Sequence, residues 1–404
     1  MKVKPALFVF ITVIPFVFNC GSDVDVQTVE MPPPLTDVLT LKLSFGDEKT
    51  IDKDEFLLAR PVGIAVSPEG DIVVSDETRL KVFDGNGTPK KIVGRFGQGP
   101  GEFRWYPFPR ISNSGFVAAL DGMPQPKEIN LFSDEYIFIK RMNMRNDTKL
   151  KNLLNKDNAT LGGVGNMIIL NENEIVYSVS AELMSRGASV YGNNYLVYDT
   201  NDTLKVLAKY MTEAHYRDIT TGMGVPKPFV GSFFWAELPE RKVVFTHSEY
   251  DETVEQGNFT YSLTITSLDD FTSQKVVQKY VPVAIPGSIK KQYDVIWDER
   301  LEKTIKIMQK HVKNTTYYHH VTGLKTDGNY IFVFTHKKNE LGHTLADVLD
   351  ATTKKRISTA YFSFVPRVIK DGYAYKVSDY LQTNEFPEIE KYKIDPAVYG
   401  KLNI

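Results

Sequence analysis

The 404-residue sequence has little cysteine and no excess of charge of either sign. Cys20 is the only cysteine, so a disulfide within the chain and a zinc site built from several cysteines are both excluded. The 48 Lys and Arg residues are balanced by 50 Asp and Glu residues. Proteins that follow a phosphate backbone instead carry an excess or a patch of Lys and Arg. We therefore expect no nucleic-acid partner.

Long hydrophobic runs are also scarce. The run from Ala6 to Phe18 is too short for a bilayer, which takes about 20 apolar residues. It has the length of a signal-peptide core, with Lys2 and Lys4 before it. Cys20 follows where cleavage would expose it, which resembles a bacterial lipoprotein signal. The resemblance implies that residues 1–19 are removed and that Cys20 is lipidated. A plain secretory signal with a buried cysteine is the alternative.

Residues 20–37 are acidic and rich in proline, with Asp23, Asp25, Glu30 and three consecutive prolines at 32–34. Such a composition predicts an extended tether between lipid and domain. Acyl chains contribute about 0.8 kcal/mol per buried CH₂, so several chains on Cys20 would hold the protein at a membrane. The expected location is the bacterial cell envelope, with the membrane as a partner.

Aromatic residues are abundant, with 24 Phe and 21 Tyr, and they favour strands. The most regular segment is Pro61 to Gly87. It contains β-branched runs at 63–66, 71–75 and 80–83 that are separated by turn residues. Asp84 to Gly87 tolerates positive φ and predicts a hairpin turn to a fourth strand at 91–93. Four such strands form one propeller blade, which cannot bury both faces alone and should recur.

The same order of strand, turn and strand does recur, in degenerate form. The further copies occupy residues 110–132, 167–199, 233–265, 321–350 and 364–394. Six copies predict an all-β, six-bladed β-propeller of four-stranded antiparallel blades over residues 38–404, and we expect it to be monomeric. The strand from Val38 to Phe45 is available to complete the last blade and close the ring.

Part of this pattern resembles a known repeat. Pro61–Val66, Gly70–Asp76 and Val82–Asp84 look like the NHL repeat, and Gly97–Phe103 looks like the linker between its blades. Together with the leader, the chain is similar to the six-bladed β-propeller lipoproteins of Bacteroidetes-type bacteria. The resemblance implies a fold and a location in the envelope, but no reaction.

Two insertions depart from the repeat. Residues 141–165 are polar and predict a loop. Residues 285–313 place apolar side chains at helical spacing, which predicts an amphipathic helix. That helix either packs on the rim of the propeller or docks a partner.

The meander of each blade predicts which residues lie together. If the first strand starts at one face, the second strand must end there, so second-strand ends and interblade linkers meet at one mouth. Aromatic walls with a few convergent polar groups describe a binding pocket. The predicted ligand-binding residues at this mouth are Trp105, Tyr106, Arg110, Asp121, His247, His336 and Asp379. The alternative is structural: each Asp bonds local backbone, and each His is satisfied by neighbouring main chain.

Common catalytic motifs are missing. The sequence has no Gly-x-Ser-x-Gly, no His-Glu-x-x-His and no phosphate-binding loop. The leading hypothesis is a membrane-anchored, non-enzymatic module without a cofactor that binds a peptide, glycan or protein. The resemblance implies an alternative, because six-bladed propellers with NHL-like repeats include metal-dependent lyases and lactonase-like hydrolases. In that case His247, His336 and an aspartate such as Asp76 would hold a divalent ion.

Overall fold

The chain folds into six antiparallel sheets, as the sequence predicts. The computed structural model describes residues 32–122, 127–183, 189–218, 221–378 and 386–401. The leader, Cys20 and Asp379 lie outside these ranges. No helix within them is long and apolar enough to cross a bilayer.

Each sheet is one blade with an inner strand at the channel, and the first strand of the chain is the outermost strand of the last blade. Strand β1 is Leu39–Phe45. Blade 1 contains β2 (Pro61–Val66), β3 (Ile72–Asp76), β4 (Arg79–Phe83) and β5 (Pro89–Val93). Blade 2 contains β6 (Pro107–Ile111), β7 (Val117–Asp121), β8 (Glu128–Phe132) and β9 (Phe138–Asn143). After helix α1 (Thr148–Lys156), blade 3 contains β10 (Ala159–Asn171), β11 (Glu174–Leu183), β12 (Ser189–Thr200), β13 (Leu204–Arg217) and the short edge strand β14 (Gly224–Pro226).

The second half of the ring has the same plan. Blade 4 contains β15 (Phe233–Leu238), β16 (Lys242–His247), β17 (Glu252–Glu255), β18 (Asn258–Ser267) and β19 (Ser273–Tyr280). The helices α2 (Gly287–Lys291) and α3 (Glu302–Asn314) follow. Blade 5 contains β20 (Val321–Asp327), β21 (Tyr330–Lys338), β22 (Thr344–Asp350) and β23 (Lys355–Phe362). Blade 6 contains β24 (Val368–Lys370), β25 (Tyr373–Val377) and β26 (Ile389–Ile394), with β1 outside β26.

Strand β1 closes the ring, as predicted. It pairs antiparallel with β26, from Leu39 opposite Ile394 to Phe45 opposite Ile389. Because the two ends of the propeller share one sheet, the last blade has its fourth strand and the ring is closed.

The alternation of side chains along β3 explains how one blade packs against two neighbours. Ile72 and Val74 join a cluster with Tyr375 of blade 6. Val73, on the opposite face of β3, packs with Val117 of blade 2. Side chains of a strand alternate between the two faces of its sheet, so a strand between two blades is apolar on both.

The hairpin turn of blade 1 also contacts the closing strand. The Asp84 carboxylate accepts hydrogen bonds from the N–H groups of Asn86 and Thr88, both at 2.8 Å. Gly87 has φ +84°, and a Cβ there would lie 2.8 Å from the ring of Phe45. Glycine is therefore required both by the turn and by the close approach of β1.

The prediction of a loop over residues 141–165 is wrong. Strand β9 continues to Asn143, helix α1 follows, and β10 begins at Ala159. Asp147 caps α1 by accepting the N–H of Leu150 at 2.7 Å. Leu150 and Leu154 are buried against blades 2 and 3. One apolar pair at helical spacing suffices to cover this core, although the rest of the segment is polar.

The predicted helical insertion is present but divided. Ile296 and Trp297 lie between α2 and α3 and are 40% and 57% exposed. The apolar stripe that packs on Tyr216 and Val225 of blade 3 runs from Leu301 through helix α3. The insertion thus covers the rim of the propeller, as one of the two predictions states.

Candidate functional site

The mouth predicted from the meander is formed by the starts of inner strands and the ends of second strands. Pro61 is paired with Asp76, Pro107 with Asp121, and Phe233 with His247. The interblade linkers enter here, and we call this side of the ring the linker-side mouth.

Asp76 and Asp121 bind the linkers that enter their own blades. The Asp76 carboxylate accepts the N–H groups of Ala59 at 3.1 Å and Arg60 at 2.5 Å, and it pairs with Lys81 Nζ at 2.7 Å. The Asp121 carboxylate accepts the N–H groups of Arg104 at 3.0 Å and Trp105 at 2.9 Å. Both carboxylates are buried and fix backbone geometry, which matches the structural alternative.

His247 is buried with both ring nitrogens in hydrogen-bond contact. Its Nε2 lies 3.2 Å from Thr212 Oγ1, and its Nδ1 lies 3.2 Å from the N–H of Glu249. The centroids of the Tyr210 and Tyr250 rings are each 5.0 Å from the imidazole. Burial lowers the pKa of His247, so the imidazole is neutral at physiological pH.

His336, by contrast, is exposed and lines a recess between blades 4 and 5. Its Nδ1 lies 2.7 Å from the carbonyl oxygen of His319, and its ring stacks on Tyr318 at 4.5 Å with an interplanar angle of 11°. The recess has a volume of about 330 Å³, and Phe229 and Phe234 contribute to its walls. We call it the blade 4–5 recess.

Trp105 and Tyr106 precede β6 at the linker-side mouth. The Trp105 side chain is 57% exposed, whereas Tyr106 is half-buried. Neither residue belongs to the lining of the blade 4–5 recess. The predicted ring of site residues is therefore distributed around the mouth, and Asp379 lies outside the described residues.

The predicted metal ligands are also distributed. Asp76 belongs to blade 1, whereas His247 and His336 belong to blades 4 and 5. Within the described ranges, no group of three or more His, Cys, Asp or Glu side chains is placed to hold a metal ion. A divalent-metal site at these residues stays a prediction.

The central channel encloses a cavity of about 740 Å³. The inner strands of all six blades line it. Lys370 of β24 is among the lining residues, and so is a group of three further cations: Arg110 from β6, Lys325 from β20 and Arg367 just before β24. Arg110 was predicted at the mouth, but the structure places it near the far end of β6, inside the channel.

These three cations lie close to one another without a carboxylate partner. Lys325 Nζ donates to the carbonyl oxygen of Arg367 at 3.0 Å, and Arg110 donates to the carbonyl oxygen of Pro109 at 2.9 Å. Burial, together with the charges of Arg110 and Arg367, lowers the pKa of Lys325 to about 8. Across the described ranges, none of the three forms an ion pair.

A polar bridge crosses the channel at the end opposite the linkers. Glu237 of blade 4 accepts the N–H of Asn113 of blade 2 at 3.0 Å. Lys370 of blade 6 donates to the Asn113 side-chain oxygen at 3.3 Å. Burial raises the pKa of Glu237 to about 7, an effect that Asn113 and Lys370 partly oppose. The one carboxylate of this bridge is therefore engaged away from the three cations.

The sequence analysis missed Lys325 and Glu237. Each lies in the inner strand of a blade, as Arg110 does. A charged residue in the first strand of several copies was the available signal, but the prediction rested on the ends of second strands.

No protein-family model matches the sequence, and no curated protein matches it at a significant level. Several solved propellers are similar in fold. A candidate exported protein from Bacteroides fragilis shares 13% identity, with 90% of this chain and 98% of that chain covered and a TM-score of 0.44. The WD40 domain of Pan2 from Neurospora crassa shares 9% identity, with coverages of 84% and 78% and a TM-score of 0.35. The β-propeller domain of the trilobed protease from Pyrococcus furiosus shares 12% identity, with coverages of 79% and 79% and a TM-score of 0.32. Likeness at this level carries no information on ligand or activity.

Proposed function

We propose that the protein is a non-catalytic binding module of the bacterial cell envelope, anchored by lipid on Cys20, that takes a peptide, glycan or protein partner at the linker-side mouth. The observation that carries this proposal is the blade 4–5 recess. Its aromatic walls stand beside polar groups, which is the usual composition of a ligand site.

The walls of the recess are held in place from behind. The Phe229 ring makes edge contacts with Tyr293 and Tyr318, both with centroids at 5.7 Å. Tyr318 in turn stacks on His336. Because the rings support one another, little side-chain entropy would be lost when a partner is bound.

Phe229 also has φ +57°, in the left-handed region that a bulky side chain rarely adopts. Such a conformation costs on the order of 1–3 kcal/mol and is concentrated at binding sites. The strained backbone supports a role for this ring in recognition. The volume of about 330 Å³ suits one amino-acid side chain or one sugar ring.

The test is partner capture from native membranes by the full-length protein. We expect Tyr318→Ala to weaken capture, because it removes the central ring of the recess, and Trp105→Ala to weaken it less. The matched control is Trp297→Ala, which removes an equally exposed ring between α2 and α3. Capture that survives Tyr318→Ala but is lost in Trp297→Ala would place the partner on the helical insertion. That result would overturn the proposal that the partner binds at the blade 4–5 recess.

The anchor is tested separately by Cys20→Ala. We expect this variant to leave the membrane fraction, because the lipid-accepting thiol is gone. A variant that stays firmly in the membrane fraction would overturn the lipoprotein assignment while leaving the recess untouched.

Elemental analysis of the purified protein tests the alternative of a metal-dependent enzyme. A stoichiometric divalent metal that is lost on His336→Ala would overturn the proposal of a binding module in favour of a metal-dependent lyase or hydrolase.

A further inference from the structure

We propose that the central channel is a binding site for a small oxyanion, a carboxylate or phosphate group held between Arg110, Lys325 and Arg367. This site goes beyond the binding of a partner at the linker-side mouth, because it uses another cavity and other side chains.

Cations from three blades converge on the channel. The three residues belong to blades 2, 5 and 6 and are far apart in sequence, yet all line one channel. Lys325 is held beside Arg367 by the hydrogen bond from its Nζ to the Arg367 carbonyl oxygen at 3.0 Å. The closed ring therefore fixes the spacing of the three cations, and their charges stay available to a ligand.

Buried cations elsewhere in the described residues have acidic partners, unlike the cations of the channel. Lys81 pairs with Asp76 at 2.7 Å, Lys227 with Glu213 at 2.8 Å and Arg356 with Asp347 at 3.1 Å. A charge removed from water is tolerated when it is paired. Arg110 and Lys325, both half-buried, instead lie near each other and near the exposed Arg367, and the three like charges repel one another. An anion among them would remove that repulsion.

The channel lining carries donor groups that suit an oxyanion. Two guanidinium groups offer planar forks that match carboxylate and phosphate oxygens, and the ammonium of Lys325 adds a point charge. Asn166, Ser178 and Asn194 of blade 3 bring neutral polar groups to the same cavity. About 740 Å³ leaves room for a small molecule behind its anionic group.

The polar bridge limits how such a ligand enters. Asn113, Glu237 and Lys370 cross the channel at the end opposite the linkers. These side chains obstruct that end, so entry is from the linker-side mouth, and the ligand is a small molecule and not a polymer threaded through the ring.

The experiment is a calorimetric and thermal-shift titration of the full chain at pH 7. The probes are citrate, inorganic phosphate and glucose, at an ionic strength held constant with NaCl. We expect citrate, phosphate or both to bind and to raise Tm, whereas neutral glucose does neither. Binding of citrate alone assigns a carboxylate ligand, and binding of phosphate alone assigns a phosphorylated one.

The diagnostic variant is Lys325→Met, which should weaken anion binding about tenfold or more because a hydrogen bond to a charged group is lost. Lys42→Met, on the exposed outer strand of blade 6, is the matched control and should bind as the original protein does. If Lys325→Met does not fold, Arg367→Gln replaces it.

The proposal is overturned if neither anion exceeds NaCl in its effect, or if both channel variants bind anions unchanged. Tyr318→Ala distinguishes this site from the recess. It should leave anion binding intact, so failure of the channel and failure of partner capture are separate results.

Discussion

The linker-side ends of the blades and the interior of the channel differ in whether their charged groups have partners. At the linker side, Asp76, Asp121 and His247 are buried and fully engaged with neighbouring groups. In the channel, Arg110 and Lys325 lie close together without an acidic partner among the described residues. Satisfied polar groups hold the architecture in place, whereas an unsatisfied cluster costs stability and is typical of a site that awaits a ligand.

The predicted site residues also differ in environment. Selection by strand ends identified residues that fix linkers, because a strand end is where the chain must be turned and capped. The exposed His336 and the channel residue Arg110 are the members of that selection that line a cavity.

The largest expected effect comes from breaking the satisfied region. Asp76→Ala removes the acceptor of the Ala59 and Arg60 N–H groups and the partner of Lys81, whose side chain is buried as the Asp76 carboxylate is. We expect the free energy of unfolding to fall by about 3–5 kcal/mol in chemical denaturation.

The control for Asp76 is Asp84→Ala, in an exposed turn where the carboxylate also accepts two N–H groups. Its loss should be about 1 kcal/mol or less, because water replaces the carboxylate. If both variants lost the same free energy of unfolding, burial would not be the reason why the two carboxylates differ.

The polar bridge should make stability depend on pH. The pKa of Glu237 is raised from 4.5 to about 7 by burial. The folded state therefore holds this proton where the unfolded chain has lost it. The stabilisation is complete below pH 4.5 and is lost as pH rises through about 7, by on the order of 1–3 kcal/mol.

Urea denaturation between pH 4.5 and 8 measures that loss. Glu237→Gln should remove the decline and be the more stable protein at pH 8. Glu240→Gln, in the adjacent exposed turn, should keep it. A decline that persists in Glu237→Gln would assign the pH dependence to another group.

Two lysine variants test the unpaired cluster by the sign of their effect. Without anion, Lys325→Met should raise the free energy of unfolding by about 1–2 kcal/mol, because a repelled cation becomes an apolar side chain of similar length. Lys81→Met should lower it, because Asp76 loses its counter-ion. Thermal unfolding in a non-binding buffer measures both. A loss of stability in Lys325→Met would mean that the lysine serves the fold.

The smallest effect is expected at the exposed histidine. His336→Ala removes one stack with Tyr318 at the surface and should cost about 0.5–1 kcal/mol. His247→Ala should cost more, because it opens a cavity beside Tyr210. Chemical denaturation of the two variants gives the comparison, and the reverse order would contradict the distinction between exposed and buried imidazoles.

Blade 1 shows how far sequence patterns reach. Its predicted runs coincide with β2 to β5, since alternation and turn residues act within a few residues of one another. Blade 3 shows the limit. Its predicted strands are present, but β10 begins already at Ala159. Gly162 and Gly165 interrupt the apolar pattern there, while Gly163 still pairs with Ser180 of β11.

The sequence by itself determined the number of blades, the closure by β1 and the mouth at which second strands end, because each follows from local periodicity and the geometry of a meander. Only the tertiary structure decided which charged groups are paired. Asp76 finds its partners within blade 1, but Arg110, Lys325 and Arg367 come together solely because six sheets close around one axis. Electrostatic environment depends on distances across the ring, and sequence spacing does not encode them.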